Sequence, residues 1–464
     1  MVEESLTGTS ARKMESGATR PQFAAAFAAN IAALIAGCVI GWTSPSLPKL
    51  EKDDSPIKIT QDENSWISSL APLAASLGPF AAGFLAERYG KKKTLIMSSL
   101  PAFVSWICLA VGTTVEMVYL GRFISGFTVG WIFTVLPMYC GEIAQDTVRG
   151  AIGSLMQLFI CIGLLFDYVV GPYVSYSALS FAAAVFPFLF AFAFAWMPES
   201  PYYLIGKNRP DQAKKALAWL RGRPEDGVTQ ELKNIQADVE NSKSQTGTFK
   251  DLFATRGTTK AMIISLGLVG FQQFSGINVI LFNAETIFRR AGGSIEPEIS
   301  TIITGAVMLV ASATTPFVVE RLGRRFLLLL SAAVMGIAHG VLGLCYYLDS
   351  IGTDTSGFSV LPVIAVLVYI VVYSVGFGPL PWAVMGEMFP TNIKSLASTL
   401  TASFCWLLGF LVTRFFNDLN ELVKDHFTFW IFGICCFGAV FFVFFLLPET
   451  KGKSLVEIQE ILNS

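Results

Sequence analysis

Apolar residues in this chain run almost unbroken for twenty or so positions, give way to a few polar ones, and then resume. A helix buried on one side only would instead show an apolar stripe with a polar back. At 1.5 Å per residue, a run of roughly 20 apolar residues reaches across about 30 Å of hydrocarbon, with every backbone hydrogen bond closed inside the helix. Six such runs lie near Phe23–Leu47, Trp66–Ala86, Thr94–Gly112, Val115–Met138, Gly150–Gly171 and Ala178–Met197. Six more lie near Met262–Phe288, Ile299–Val319, Phe326–Leu348, Val360–Met385, Leu396–Phe416 and Phe427–Leu447. The pattern predicts an all-α membrane protein of twelve transmembrane helices.

The one long polar interval, residues 198–260, divides these runs six and six. Within it, Arg209–Leu220 and Gln230–Val239 have the spacing of short amphipathic helices, with loops at Gly222–Gly227 and Ser242–Gly247. The expected organisation is a tail (1–20), a six-helix half (21–197), a helical linker (198–260), a second half (261–447) and a closing tail (448–464). Charge orients the whole. Of the 33 Lys and Arg, 25 fall on one side if both termini are cytoplasmic, seven fall on the other, and Arg122 lies inside a span. The first 20 residues are polar and predict no cleavable leader, and no Asn-x-Ser/Thr acceptor is present.

Composition changes the picture only in what it excludes. The chain is 53% hydrophobic, 14% charged and has a formal net charge of -1, which gives nucleic acid nothing to bind. All eight Cys lie in apolar runs, so no disulfide framework is expected. With two His, and with the acids gathered at helix ends, no acid–base pair or nucleophile shares a pocket. An enzyme is not expected, and neither is a metal or other cofactor.

The halves repeat. Glu87-Arg-Tyr-Gly-Lys-Lys-Lys93 after the second run returns as Glu320-Arg-Leu-Gly-Arg-Arg-Phe326 after the eighth. Glu142 with Arg149 returns as Glu387 with Lys394, and Pro198-Glu199-Ser200 as Pro448-Glu449-Thr450. Paired acids and bases at helix ends suit a latch that breaks and reforms as two halves rock; the plainer reading is that they anchor helix ends. Glu142, Arg149, Glu199, Glu320, Arg324, Arg325, Glu387, Lys394 and Glu449 make up this set.

Together with Gly121-Arg122-Phe123, Gln272-Gln273-Phe-Ser-Gly-Ile-Asn278 and Gly378-Pro-Leu-Pro-Trp382, these motifs resemble the sugar porters of the major facilitator superfamily, most closely the facilitated trehalose transporters of insects. The resemblance runs over nearly the whole chain. It implies a plasma-membrane carrier for trehalose or a hexose, working as a monomer in the bilayer by alternating access. It also implies substrate contacts at Gln157, Gln272, Gln273, Asn278 and Trp382, with Trp406 and Asn283 beside them. Neutral amides with an aromatic face are the chemistry a sugar asks for, although amides also bridge membrane helices. Gly376, Gly378, Pro379 and Pro381 should break the tenth span, as a gate or as a fixed kink.

The chain departs from that family in three ways that bear on function. Cys405 precedes Trp406 where an Asn is usual, and Asn283 stands where many hexose carriers have Tyr. No Asp, Glu or His lies between Pro21 and Lys49, where proton-coupled relatives carry an Asp, which favours facilitated diffusion. Asp167 and Arg122, at similar depth, are the one pair that would serve a sugar and proton symporter instead. A non-transporting sugar receptor is the alternative of a different class. His339 and Arg414 carry no motif, and packing or snorkelling accounts for them.

Overall fold

The computed structural model describes residues 18–463 except 53–54, 56, 146, 245–246, 291–294, 354–356, 358 and 454. Most of the expected first tail and part of the Ser242–Gly247 loop lie outside the described residues.

Among the described residues, twelve helices are long and apolar enough to cross a membrane. In order they are Arg20–Leu50, Gln61–Tyr89, Lys91–Val111, Val115–Ile143, Arg149–Tyr173 and Tyr176–Ala195, then Arg256–Phe282, Pro297–Leu322, Arg324–Ser350, Leu361–Met388, Asn392–Arg414 and Asp425–Leu446. Local chemistry sets several of their ends. Thr60 and Glu63 exchange side-chain and backbone hydrogen bonds at the start of the second span, satisfying two donors that a helix N-terminus leaves open. Pro297 opens the eighth, where its missing N–H is of no consequence.

The first six spans pack chiefly on one another, the second on the fourth and the first on the fifth, and the ninth packs on the twelfth within the last six. Two helix pairs make most of the contact between the halves: the second with the eleventh, and the fifth with the eighth. Small residues let the second and fourth spans approach closely. At Gly126 and Gly130 a Cβ would stand 2.1 and 2.2 Å from the carbonyl oxygens of Ala71 and Ala75, the crowding expected where membrane helices pack through glycine.

Where the structure departs from the sequence pattern, hydrogen bonding explains it. The seventh span ends at Phe282 and not at Phe288, because Asn283 interrupts it before a further short helix, Ala284–Arg290. Past the eleventh span the chain adds a helix, Phe416–Val423, in the stretch that the apolar runs left unassigned before Phe427. The closing segment carries a helix, Leu455–Asn463, whose Asn463 side chain accepts a hydrogen bond from Gly257 N at 2.7 Å. In the linker, helices form at Pro201–Gly206, Pro210–Arg221 and Thr229–Ser244, around a small core that includes Leu204, Leu217, Leu232 and Ile235. Arg221 ties this core to the bundle, pairing with Glu231 at 2.6 Å and donating to Ile143 O at 2.9 Å.

Candidate functional site: an amide cluster between the halves

The seventh and tenth spans are both broken, and the breaks face one another. The tenth stops at Val375 and restarts at Leu380, so residues 376–379 leave carbonyl groups without helical donors. Gln272 supplies them: its Nε2 donates to Phe377 O at 2.6 Å and to Gly378 O at 2.9 Å. The seventh stops at Phe274, and the carbonyl of Ser275 accepts from His339 Nε2 at 2.8 Å and from the Tyr369 hydroxyl at 3.0 Å. His339 therefore satisfies backbone at a helix break, in keeping with a packing role. Freed backbone groups at membrane depth persist only where such partners exist.

Gln273 lies beside Gln272 and is buried with it. Its Oε1 accepts from Asn278 Nδ2 at 2.7 Å, and its Nε2 donates to Cys405 Sγ at 3.1 Å. Cys405 Sγ in turn lies 3.6 Å from Gln272 Oε1. The seventh and eleventh spans thus bring together Gln272, Gln273 and Asn278 around a thiol. A thiol is a weak donor and weak acceptor, so it holds these amides less firmly than an Asn would. Next to Cys405, Trp406 packs edge-on against Phe133 of the other half with ring centroids 5.3 Å apart, and its indole N–H is buried with no partner. Trp382 is half-buried in the same core.

Gln157 sits in the other half and donates to Cys161 Sγ at 3.5 Å; Cys161 reaches Ser312 of the eighth span at 3.3 Å. Asn283 does not join the cluster. Its amide bonds Val279 O at 3.1 Å, and it lines a separate cavity nearer the end remote from the termini. Arg122 and Asp167, both fully buried, form no ion pair. Arg122 donates to Val39 O at 2.7 Å and Ile67 O at 3.1 Å and lies under the Trp42 ring, while neither Asp167 oxygen has a partner.

At the end bearing the termini, the repeated motifs build two matching clusters. Glu199 Oε1 accepts from Lys92 N at 3.0 Å, capping the third span; Glu449 accepts from Arg324 N and Arg325 N, both at 3.0 Å, capping the ninth. The glycine before each capped helix is required. Gly90 and Gly323 have φ of 99° and 84°, and a Cβ there would stand 2.3 and 2.8 Å from the Glu199 and Glu449 carboxylates. Glu142 takes Lys91 at 3.1 Å and the Ser200 hydroxyl, while Glu387 takes Arg324 at 2.9 Å and the Thr450 hydroxyl at 2.6 Å. These bonds close inside each half, so in this conformation they brace helix ends and do not tie one half to the other. Glu320 is exposed and outside both clusters, and Lys394 lies beside Gly386.

The two capping acids differ in electrostatics. Burial pushes the Glu199 carboxyl above its ordinary value, with the Lys92 and Ser200 N–H groups opposing it. Burial also acts to raise Glu449, but four backbone N–H groups together hold it below its ordinary value.

Besides the Cys161–Ser312 and Phe133–Trp406 contacts, several bonds cross between the halves toward the other end. Arg414 bridges to Asp62, stacks on the Trp66 ring at 4.8 Å and also pairs with Asp418. Asn417 Nδ2 donates to Ser65 Oγ at 2.9 Å, Glu285 N to Ser44 Oγ at 3.1 Å, and the Tyr168 hydroxyl to Leu281 O at 2.6 Å. A small gap of about 10 Å³ lies beside Val39, Pro72, Phe282 and Trp406. Arg414 is thus a bridge and not a snorkelling anchor. Nothing in the sequence around it marks it as one, since Asp62 and Trp66, its partners in the other half, lie hundreds of residues away.

Comparison with known proteins agrees with this arrangement. The family described as "Sugar (and other) transporter" matches residues 25–462. The facilitated trehalose transporter Tret1 of Polypedilum vanderplanki is 37% identical over 442 residues, covering 94% of this chain and 87% of that protein. Tret1-1 of Drosophila simulans is 38% identical over 94% of this chain, which spans 51% of that relative's length. Among solved structures, the xylose transporter XylE of E. coli in a partially occluded inward open conformation superposes with a TM-score of 0.78 at 23% identity, over 94% of this chain and 99% of that one. XylE bound to 6-bromo-6-deoxy-D-glucose, described as a proton:xylose symporter, gives the same TM-score over 95% of this chain. The fold is that of the major facilitator superfamily, and the chain belongs to the sugar transporter family.

Proposed function

We propose that the chain is a facilitative carrier moving trehalose or a hexose across the plasma membrane by alternating access. The observation that carries this reading is the convergence of Gln272, Gln273 and Asn278 around Cys405, with Trp406 beside them and no charged side chain among the contacts. A sugar offers neutral hydroxyls and an apolar ring face, and such a cluster answers both. Gln157 and Trp382 complete the binding set. As the sugar arrives, its hydroxyls replace the weak thiol contacts of Gln273 and Gln272. Because Gln272 also holds the carbonyls at the break of the tenth span, binding is linked to movement at Gly376, Gly378, Pro379 and Pro381.

With both termini cytoplasmic, residues 21–197 and 261–447 are the rocking units and 198–260 the linker between them. The bridges at Arg414, Asn417 and Tyr168 then close the outer side, and the state described here faces inward. One chain is sufficient for this cycle. The relatives' names support trehalose as substrate, and the small Cys405 beside the amides supports room for a second ring.

Reconstituted in liposomes, the protein should take up labelled trehalose or glucose down a gradient, unaffected by an imposed pH difference, and Gln273→Ala should lower uptake at least tenfold. Sugar binding without any counterflow would overturn transport in favour of a receptor. The unpartnered carboxylate of Asp167 favours one second reading, proton-coupled uptake. Alkalinisation of the medium on adding sugar, abolished by Asp167→Asn, would establish it.

A further inference from the structure

A second polar cavity, of about 280 Å³, opens toward the end remote from the termini. Both halves contribute. Gln61 and Asn64 come from the second span, Asn283 from the end of the seventh, and Asn417 and Asn420 from the helix after the eleventh. These five amides surround a floor of Phe416, Phe429 and Tyr346, with the Tyr346 and Phe429 rings stacked 5.3 Å apart at 7°.

Of the lining charges, Arg290 pairs with Asp425 at 3.3 Å, while Glu51 keeps its negative charge and accepts from the Asn64 amide. An anionic ligand would have to break the first pair and lie beside Glu51, whereas a neutral one need not, and the Glu51 carboxylate can accept from a hydroxyl. Asn420 has the opposite condition. Both its Oδ1 and its Nδ2 are shielded from solvent and neither has a hydrogen-bond partner. A buried amide left open on both atoms is unfavourable, and a ligand that offers a hydroxyl, both donor and acceptor, relieves it. Amides and one hydrogen-bond-accepting carboxylate over an aromatic floor make a site for a neutral polyhydroxylated ring. The volume lies just below the roughly 300–1,000 Å³ common for small-molecule sites, which suits one pyranose and not two.

We propose that this cavity is a second sugar-binding site, which captures a single pyranose unit in the vestibule while the halves are bridged above the central cluster. The inference rests on the sugar reading of the chain but uses different residues. A sugar held here lies next to the bridge at Arg414, since Asn417 and Asn420 follow it on the next helix and Gln61 adjoins Asp62. Occupation therefore places substrate at the outer gate before it opens.

The test is the stoichiometry of labelled glucose binding to the purified full chain in nanodiscs, by equilibrium dialysis, for wild type, Asn420→Leu and Gln273→Ala. Two sugars per chain in wild type and one in each variant is the expected result, with Asn420→Leu also raising the KM for uptake several-fold while leaving kcat within twofold. One sugar per chain in wild type, or two persisting in Asn420→Leu, overturns the second site. Unchanged uptake by Gln273→Ala would overturn the central cluster and leave the vestibule result standing. Should Asn420→Leu fail to fold, judged by its thermal midpoint, Gln61→Leu on the exposed rim is read in the same way.

Discussion

The two ends of this molecule are fastened on different plans. At the end bearing the termini, Lys91, Glu142 and Glu199 form one cluster and Arg324, Glu387 and Glu449 another, each closed inside its own half. At the other end Arg414 reaches Asp62 and Asn417 reaches Ser65, each across the division. Bonds within a half stiffen a rocking unit whichever way it tilts. Bonds across the halves favour one tilt over the other, because they exist in one state only. The first kind sets stability; the second sets the conformational balance.

The largest effect should come from breaking an inner cluster. Arg324→Ala leaves a partly buried Glu387 without its guanidinium and should lower stability by about 1.5–3 kcal/mol, read as a fall in thermal midpoint in nanodiscs. A smaller effect, and a different kind, is expected at the other end. Arg414→Ala removes ion pairs to Asp62 and Asp418 and the stack on Trp66; the part that crosses between the halves, the Asp62 pair with the Trp66 stack, is worth about 1 kcal/mol, or roughly fivefold in the ratio of the two tilts. Its midpoint should hardly move, while a cysteine placed at Ser65 should become several-fold more reactive to an impermeant thiol reagent. Equal loss of stability in both variants would erase the distinction between the two ends.

Double-mutant cycles sharpen it further. Glu142→Gln with Arg324→Ala, in different halves, should add to within about 0.5 kcal/mol, whereas Arg324→Ala with Glu387→Gln should not. The smallest expected effect is a pair of opposite pH slopes. Glu199 is held above its ordinary value, so between that value and its folded one the folded chain keeps a proton the unfolded chain has lost, and stability falls as pH rises. Glu449 is held below, so its contribution is present above the ordinary value and is lost as pH falls toward the folded one. Glu199→Gln and Glu449→Gln should each remove one slope from the acid limb of the midpoint profile, with opposite sign. Slopes of the same sign would mean that the two clusters are not electrostatically distinct.

The chain alone determined the twelve spans, the duplicated motifs and the break in the tenth span, because hydrocarbon tolerates only long apolar helices and because Gly and Pro interrupt them wherever they sit. It also marked Gln272, Gln273 and Asn278, which share one short stretch of the seventh span. Tertiary structure decided the rest. Asn283 appears on the same stretch, yet the helix ends there and turns its amide into the vestibule. Glu142 and Glu387 look like a latch between halves, yet in this conformation their partners, Lys91 with Ser200 and Arg324 with Thr450, belong to the same half. Arg122 and Asp167 sit at one depth but on helices that do not bring them into contact. Arg414 has no local motif and becomes the outer bridge only because the eleventh span packs on the second. Sequence spacing fixes depth and face along one helix; which helices meet, and therefore which charges find each other, is fixed only when the two halves close.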